Sequence, residues 1–246
     1  MEENREDRND KNKGPKDESG GDAAWPDAKQ EQGPAQVRPG GGDFTLGDIL
    51  EDAYKALKEN LAAFVGAMAI NLIANGALMR TRFSMLNVFF SEHFSVGMTL
   101  MAFSAYRKTR KPEVGDLFFP FTAYVPVFLA GLVFTLALVV GFVLLIVPGI
   151  YIALTYGLLT PLLAEDVMKV RDGSMKPSDI DWWGKFKQSE KLMEGYRIKL
   201  LLYGIVLTLI GISGIIAFGV GIFFTMPIAF LGFIAFYERL RAVKGV

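Results

Sequence analysis

The chain has no cysteine and a single histidine, His93. The first absence excludes disulfides, thiolate metal sites and a cysteine nucleophile. The second removes most of the metal-binding and general-base chemistry that depends on imidazole. Charge is missing from two long stretches: 41 residues from Tyr124 to Ala164, and 38 from Leu200 to Tyr237, carry none. A helix crossing a bilayer needs about 20 consecutive apolar residues, so each stretch is too long for one helix and suited to two. Turn formers lie near the middle of both, Gly141 and Pro148-Gly149 in the first, Gly211, Gly214, Gly219 and Gly221 in the second. Each stretch therefore reads as a helical hairpin.

The charges that are present are balanced and segregated. With 26 Lys plus Arg against 26 Asp plus Glu, net charge favours no polyanionic or polycationic partner, and no nucleic acid is expected. Residues 1–42 hold seventeen charged residues and four prolines with very little apolar surface, too little to offset the entropy of folding. They read as a disordered cytoplasmic tail, and residues 43–246 as one membrane domain. Met1 is followed by Glu2, Glu3 and Glu6 instead of a basic and then an apolar region, so no signal peptide is expected.

From Asp43 onward, Leu46, Ile49, Leu50, Ala53, Tyr54 and Leu57 recur at helical spacing, with Asp48, Glu51, Asp52, Lys55 and Lys58 opposite. This predicts an amphipathic helix, started by Thr45-x-x-Asp48 as a capping box with Asp in place of Glu. A first span is predicted from Leu61 to Met79 and a second from about Phe89 to Tyr106; the two hairpins add four. Only Arg80 and Arg82 among the basic residues fall in loops reached after an odd number of spans, so the positive-inside rule places both termini in the cytoplasm. The expected fold is an all-α polytopic membrane bundle, with six transmembrane helices forming three hairpins introduced by cytoplasmic interfacial helices. The expected location is the cytoplasmic (inner) membrane.

An internal echo runs through this scheme. Gly47-Asp48-Ile49-Leu50 precedes the first span, Gly115-Asp116-Leu117-Phe118 the third, and Ser189-Glu190-Lys191-Leu192-Met193 the fifth. The hairpins close on Tyr106-Arg107-Lys108, Glu165-Asp166 and Tyr237-Glu238-Arg239. A parallel repeat of three units and the ordinary look of any hairpin with a cytoplasmic end both fit this pattern.

Three stretches carry a resemblance to a family. They are Ser95-Val-Gly97 through Arg107-Lys-Thr-Arg-Lys111-Pro112 to Gly115-Asp-Leu-Phe118; Ile146-Val-Pro148-Gly149-Ile150 with Leu159-Thr-Pro161 and Glu165-Asp166; and Ser189-x-x-Leu192-x-x-Gly195 with Pro227 and Phe236-Tyr237-Glu238-Arg239-Leu240. Over about residues 44–242 the chain resembles a bacterial integral membrane family that includes the YciC-like proteins and the membrane domain sometimes fused to glycerophosphodiester phosphodiesterases. Lys187-Gln188 and Lys191 stand where that family often has Ala-Leu and an Arg. The resemblance implies a membrane fold and no settled activity, and the phosphodiesterase barrel has no counterpart here.

Candidate sites are few. Asn71 and Asn75, four apart, share a face with Ala63, Gly66, Ala67 and Ala74, which reads either as a close-packed helix contact or as a polar lining of a small-molecule path. Glu92 and His93, among Phe89, Phe90 and Phe94, mark the outer interface if their helix starts near residue 90. They form a polar site within the apolar zone if it starts near 84. Trp182 and Trp183, with Lys185 and Lys187, form an aromatic and basic belt suited to lipid headgroups. No catalytic, cofactor-binding or metal site is expected. The sequence therefore points to a non-enzymatic scaffold or accessory component. Its expected partners are membrane lipids and proteins meeting the tail or the helix packing faces. The alternative is a transporter or channel for a neutral or lipidic molecule.

Overall fold

Residues 44–79, 84–216 and 221–246 are described by a computed structural model, and the tail read over 1–42 lies outside them. Among the described residues every regular element is helical. Helix α1 (Leu46–Glu59) begins at the predicted capping box: the Thr45 backbone N–H donates to Asp48 Oδ2 at 2.8 Å, and the Asp48 N–H donates to Thr45 Oγ1 at 3.3 Å. Its apolar side, with Ile49, Ala53, Ala56 and Leu57 buried, packs on α9 (Ile222–Lys244). Gly232 of α9 lies under this contact, and a Cβ there would come within 2.6 Å of Leu207 Cδ2. The amphipathic face is thus covered by protein.

The chain turns through 92° from α1 into α2 (Leu61–Met79), whose ends coincide with the predicted first span. Helix α3 (Ser84–Arg107) starts five residues before the predicted second span. Two short 3₁₀ helices, Val114–Leu117 and Phe119–Ala123, then climb along α3. Gly97 allows that climb, because a Cβ there would stand 2.6 Å from the Leu117 Cα.

Helix α4 (Tyr124–Leu144) and α5 (Ile146–Tyr156) pack against each other across a break at Leu145. Gly141 and Gly149 flank this break and serve the contact between the two helices: a Cβ on Gly141 would lie 3.0 Å from Gly149 Cα. Gly157 and Leu158 separate α5 from α6 (Leu159–Arg171). Helices α7 (Trp182–Met193) and α8 (Arg197–Ile216) follow. Helices α8 and α9 pack against each other, Thr225 Oγ1 donating to Gly211 O at 3.1 Å.

Helices α3, α6 and α9 supply the densest core, including Leu100, Phe103, Leu159, Leu162, Leu163, Phe236 and Tyr237. In the apolar stretch of α9, 44% of residues are buried, against 22% in that of α8. Large side chains on α4, α5 and α8 remain outside, Val143 at 80% exposure and Leu209 at 62%. Among the described residues four stretches are long and apolar enough to cross a membrane: Val114–Leu144, Ile146–Arg171, Arg197–Gly214 and Ile222–Lys244; the bent α1–α2 pair makes a fifth only if it counts as one span. Helix α3 has the length, 24 residues, but it falls outside this set. Ser91, Glu92, His93 and Ser95 dilute its apolar character.

Candidate functional site

Three charged segments, distant in sequence, meet around one guanidinium. Arg107, the last residue of α3, donates to Glu238 of α9 through Nε at 3.0 Å and Nη2 at 2.7 Å, and to Glu165 of α6 through Nη2 at 2.8 Å. Its guanidinium carbon also lies 4.1 Å from the centre of the Phe103 ring. Glu165 is shared with Arg241, and Arg239 pairs with Asp52 of α1 at 2.7 Å. On the neighbouring side, Asp116 caps the first 3₁₀ helix and takes Arg110, with Arg171 at 3.6 Å. Asp166 takes Lys185 of α7 at 2.7 Å and Lys169 at 3.0 Å. The result is a collar of mostly buried ion pairs that joins α1, α3, α6, α7 and α9. Such pairs lose much when one partner is removed, because the other charge is left buried.

Glu92 and His93 lie on α3, which begins at Ser84, and both face neighbouring helices. Glu92 Oε1 accepts a hydrogen bond from Thr160 Oγ1 of α6 at 2.9 Å. Its methylene chain fills the space over Gly131 of α4, where a Cβ would come within 2.8 Å of Glu92 Cγ. His93 is fully buried between two rings, Phe121 at 4.8 Å and Tyr124 at 4.7 Å, both nearly parallel to it. The pair thus occupies a packed position where α3, α4 and α6 converge.

The small-residue face of α2 is a contact surface in its first half: Ala67 is buried, and a Cβ on Gly66 would lie 3.6 Å from Val114. Asn71 is half-buried on the same helix. The side chain of Asn75 lies outside the described residues.

The aromatic and basic belt divides into two parts. Trp183 is exposed at 57%, and Lys187 is exposed as well. Lys185 departs from the expectation: it is turned inward onto Asp166, with only 11% of its side chain accessible. Lys185 follows the exposed Trp183 by two residues, which puts it on the other side of α7, where it meets the buried carboxylate of Asp166 at 2.7 Å. Trp182 lines a cavity of about 500 Å³ between the start of α4 and the segment preceding α7. Thr122, Tyr124, Val125, Ser178 and Ile180 form much of the remaining wall. Tyr124 thus has the cavity on one side and His93 against its ring.

Sequence reasoning treated Arg107, Glu165 and Glu238 as marks of topology and did not foresee that they meet. Their common position at predicted hairpin ends was the available signal. Among the described residues no group of three or more His, Cys, Asp or Glu is placed to hold a metal ion. The chain matches no family model, no curated protein and no solved structure.

Proposed function

We propose that this protein is a non-enzymatic component of the cytoplasmic membrane that binds lipids or partner proteins as a scaffold. In this reading α2–α3, α4 with α5–α6, and α8–α9 are three membrane-crossing hairpins, with both termini in the cytoplasm. The apolar length of four of these stretches supports it, as does the placement of basic residues on one side. The resemblance to the YciC-like family agrees with such a fold and adds no activity.

The observation that carries the scaffold reading is the way polar groups are used. The charged residues at the helix ends are committed to one another in the collar. Meanwhile α4, α5 and α8 turn large apolar side chains outward. Surfaces of this extent need lipid or protein cover.

Native mass spectrometry of protein extracted in native-membrane nanodiscs tests the proposal. A reproducible extra mass, lipid or protein, is the expected result. A bare protein, or one that transports a substrate unaided, contradicts it. The second reading, transport of a neutral or lipidic molecule, is favoured by the Glu92–Thr160 pair inside the bundle. It requires flux that falls when Asn71 and Asn75 are both replaced by Leu in a protein that still folds.

A further inference from the structure

The cavity beside Trp182 has a chemistry specific enough to choose among lipids. Its volume, about 500 Å³, falls within the range of small-molecule sites. None of its nine lining residues is charged. Lys176, Asp179 and Asp181 interleave with lining residues Pro177, Ser178, Ile180 and Trp182, yet none of the three belongs to the wall. A phosphate would call for Lys or Arg within reach, and the wall offers neither.

What the wall offers is neutral hydrogen bonding on an apolar surface. Thr122 and Ser178 contribute hydroxyls already engaged as donors, to Phe119 O at 2.7 Å and to Asp179 at 3.1 Å, which leaves their oxygens able to accept. Tyr124 and Trp182 are lining residues that carry a phenol and an indole N–H, and neither group has a hydrogen-bond partner among the described residues. Beside them Val125, 62% exposed, begins the outward apolar surface of α4. The site therefore combines two unengaged donors, two acceptors and a continuous apolar exit.

We infer that this cavity binds the glycerol-ester portion of an uncharged diacylglycerol-type lipid, with its acyl chains leaving along the exposed surface of α4. Tyr124 and Trp182 donate to ester carbonyls, and the free hydroxyl of the lipid meets Ser178 or Thr122. The inference rests on the lipid-binding reading and sharpens it to one site and one class of lipid.

The test is photo-crosslinking in nanodiscs with a photoactivatable diacylglycerol, and in parallel with photoactivatable phosphatidic acid and phosphatidylglycerol. The expected result is diacylglycerol labelling of the peptides holding residues 122–126 and 177–182, suppressed by unlabelled diacylglycerol. The variant Tyr124→Phe/Trp182→Phe removes both donors; it keeps the Tyr124 ring stacked on His93 and replaces the indole with a smaller ring. Losing two hydrogen bonds should weaken labelling roughly tenfold, and the single Tyr124→Phe variant, with its thermal midpoint unchanged, should account for part of that loss. Equal labelling by all three probes, preference for the anionic lipids, or full labelling of the double variant would overturn the inference. A lipid or protein retained in native mass spectrometry without diacylglycerol labelling at these peptides defeats this site and leaves the scaffold reading standing.

Discussion

The guanidinium of Arg107 grips Glu238 through two nitrogens, at 3.0 and 2.7 Å, across a sequence separation of 131 residues. Arg107 is 12% exposed and Glu238 5%, so both charges sit largely out of water, and the pair ties the end of α3 to α9. A fork of this kind holds geometry as well as charge, which a lysine ammonium does not reproduce.

Removing that fork strands Glu238 and leaves Glu165 to Arg241 alone. Arg107→Ala should destabilise the protein by about 3–5 kcal/mol, read as a lowered thermal midpoint in lipid nanodiscs. Arg107→Lys should fall between the variant and the parent. An unchanged midpoint for Arg107→Ala would mean that the collar carries no weight.

Close approach at Gly97 gives a sharper steric test. A Cβ there meets backbone atoms of Leu117 at 2.6–2.9 Å, with no flexible side chain to yield. Gly97→Ala should therefore cost about 1–3 kcal/mol or more by overpacking. Gly115→Ala, with nothing within 4 Å, is the control and should behave as the parent in the same melting experiment.

Lys185 and Lys187 separate structural from superficial charge on one helix. Lys185→Ala should lower stability by about 1.5–3 kcal/mol, the range for a hydrogen bond to a charged group, because Asp166 keeps only the more exposed Lys169. Lys187→Ala should change stability by less than about 0.5 kcal/mol. Equal effects in a thermal melt would place Lys185 at the surface after all.

The cap of α1 responds to acid. Backbone and side-chain hydrogen bonds from Thr45 hold the Asp48 carboxyl below its ordinary value of 3.8. A carboxyl lowered in the folded state stabilises the cap fully above that ordinary value, and loses the contribution as pH falls through the lowered one. Hydrogen exchange at the first turn of α1, followed from pH 6 downward and corrected for intrinsic rates, should show protection that drops only below about 3.8. Asp48→Asn should abolish this dependence; an unaltered profile would detach the cap from Asp48.

How much of this was legible follows from the range of the forces involved. The limits of α2 and the cap of α1 depend on neighbours within four residues, and both were readable. The echo between Gly47-Asp48 and Gly115-Asp116 proved to be one local device used twice: Asp48 and Asp116 each accept the N–H of a residue three positions earlier. The break near residue 145 was foreseen, but Gly141 and Gly149 were read as makers of the turn when they serve the packing beside it. Glu92 became placeable only once α3 was seen to begin at Ser84 and to bring the carboxylate against Gly131 and Thr160. Arg107 with Glu165, Arg239 with Asp52 and Lys185 with Asp166 are contacts between distant segments. Spacing along one chain holds no signal for them, and the inward turn of Lys185 was missed for that reason.

The arrangement of three hairpins underlies the scaffold reading, and the absence of cysteine makes it directly testable. Single cysteines placed at Thr81, Lys111, Lys187 and Val246 would be labelled with a membrane-impermeant maleimide in intact cells and in inverted membrane vesicles. Six crossings with cytoplasmic termini predict labelling of Thr81→Cys from outside only, and of the other three from inside only. Labelling of Lys111→Cys, Lys187→Cys or Val246→Cys in intact cells would contradict the account.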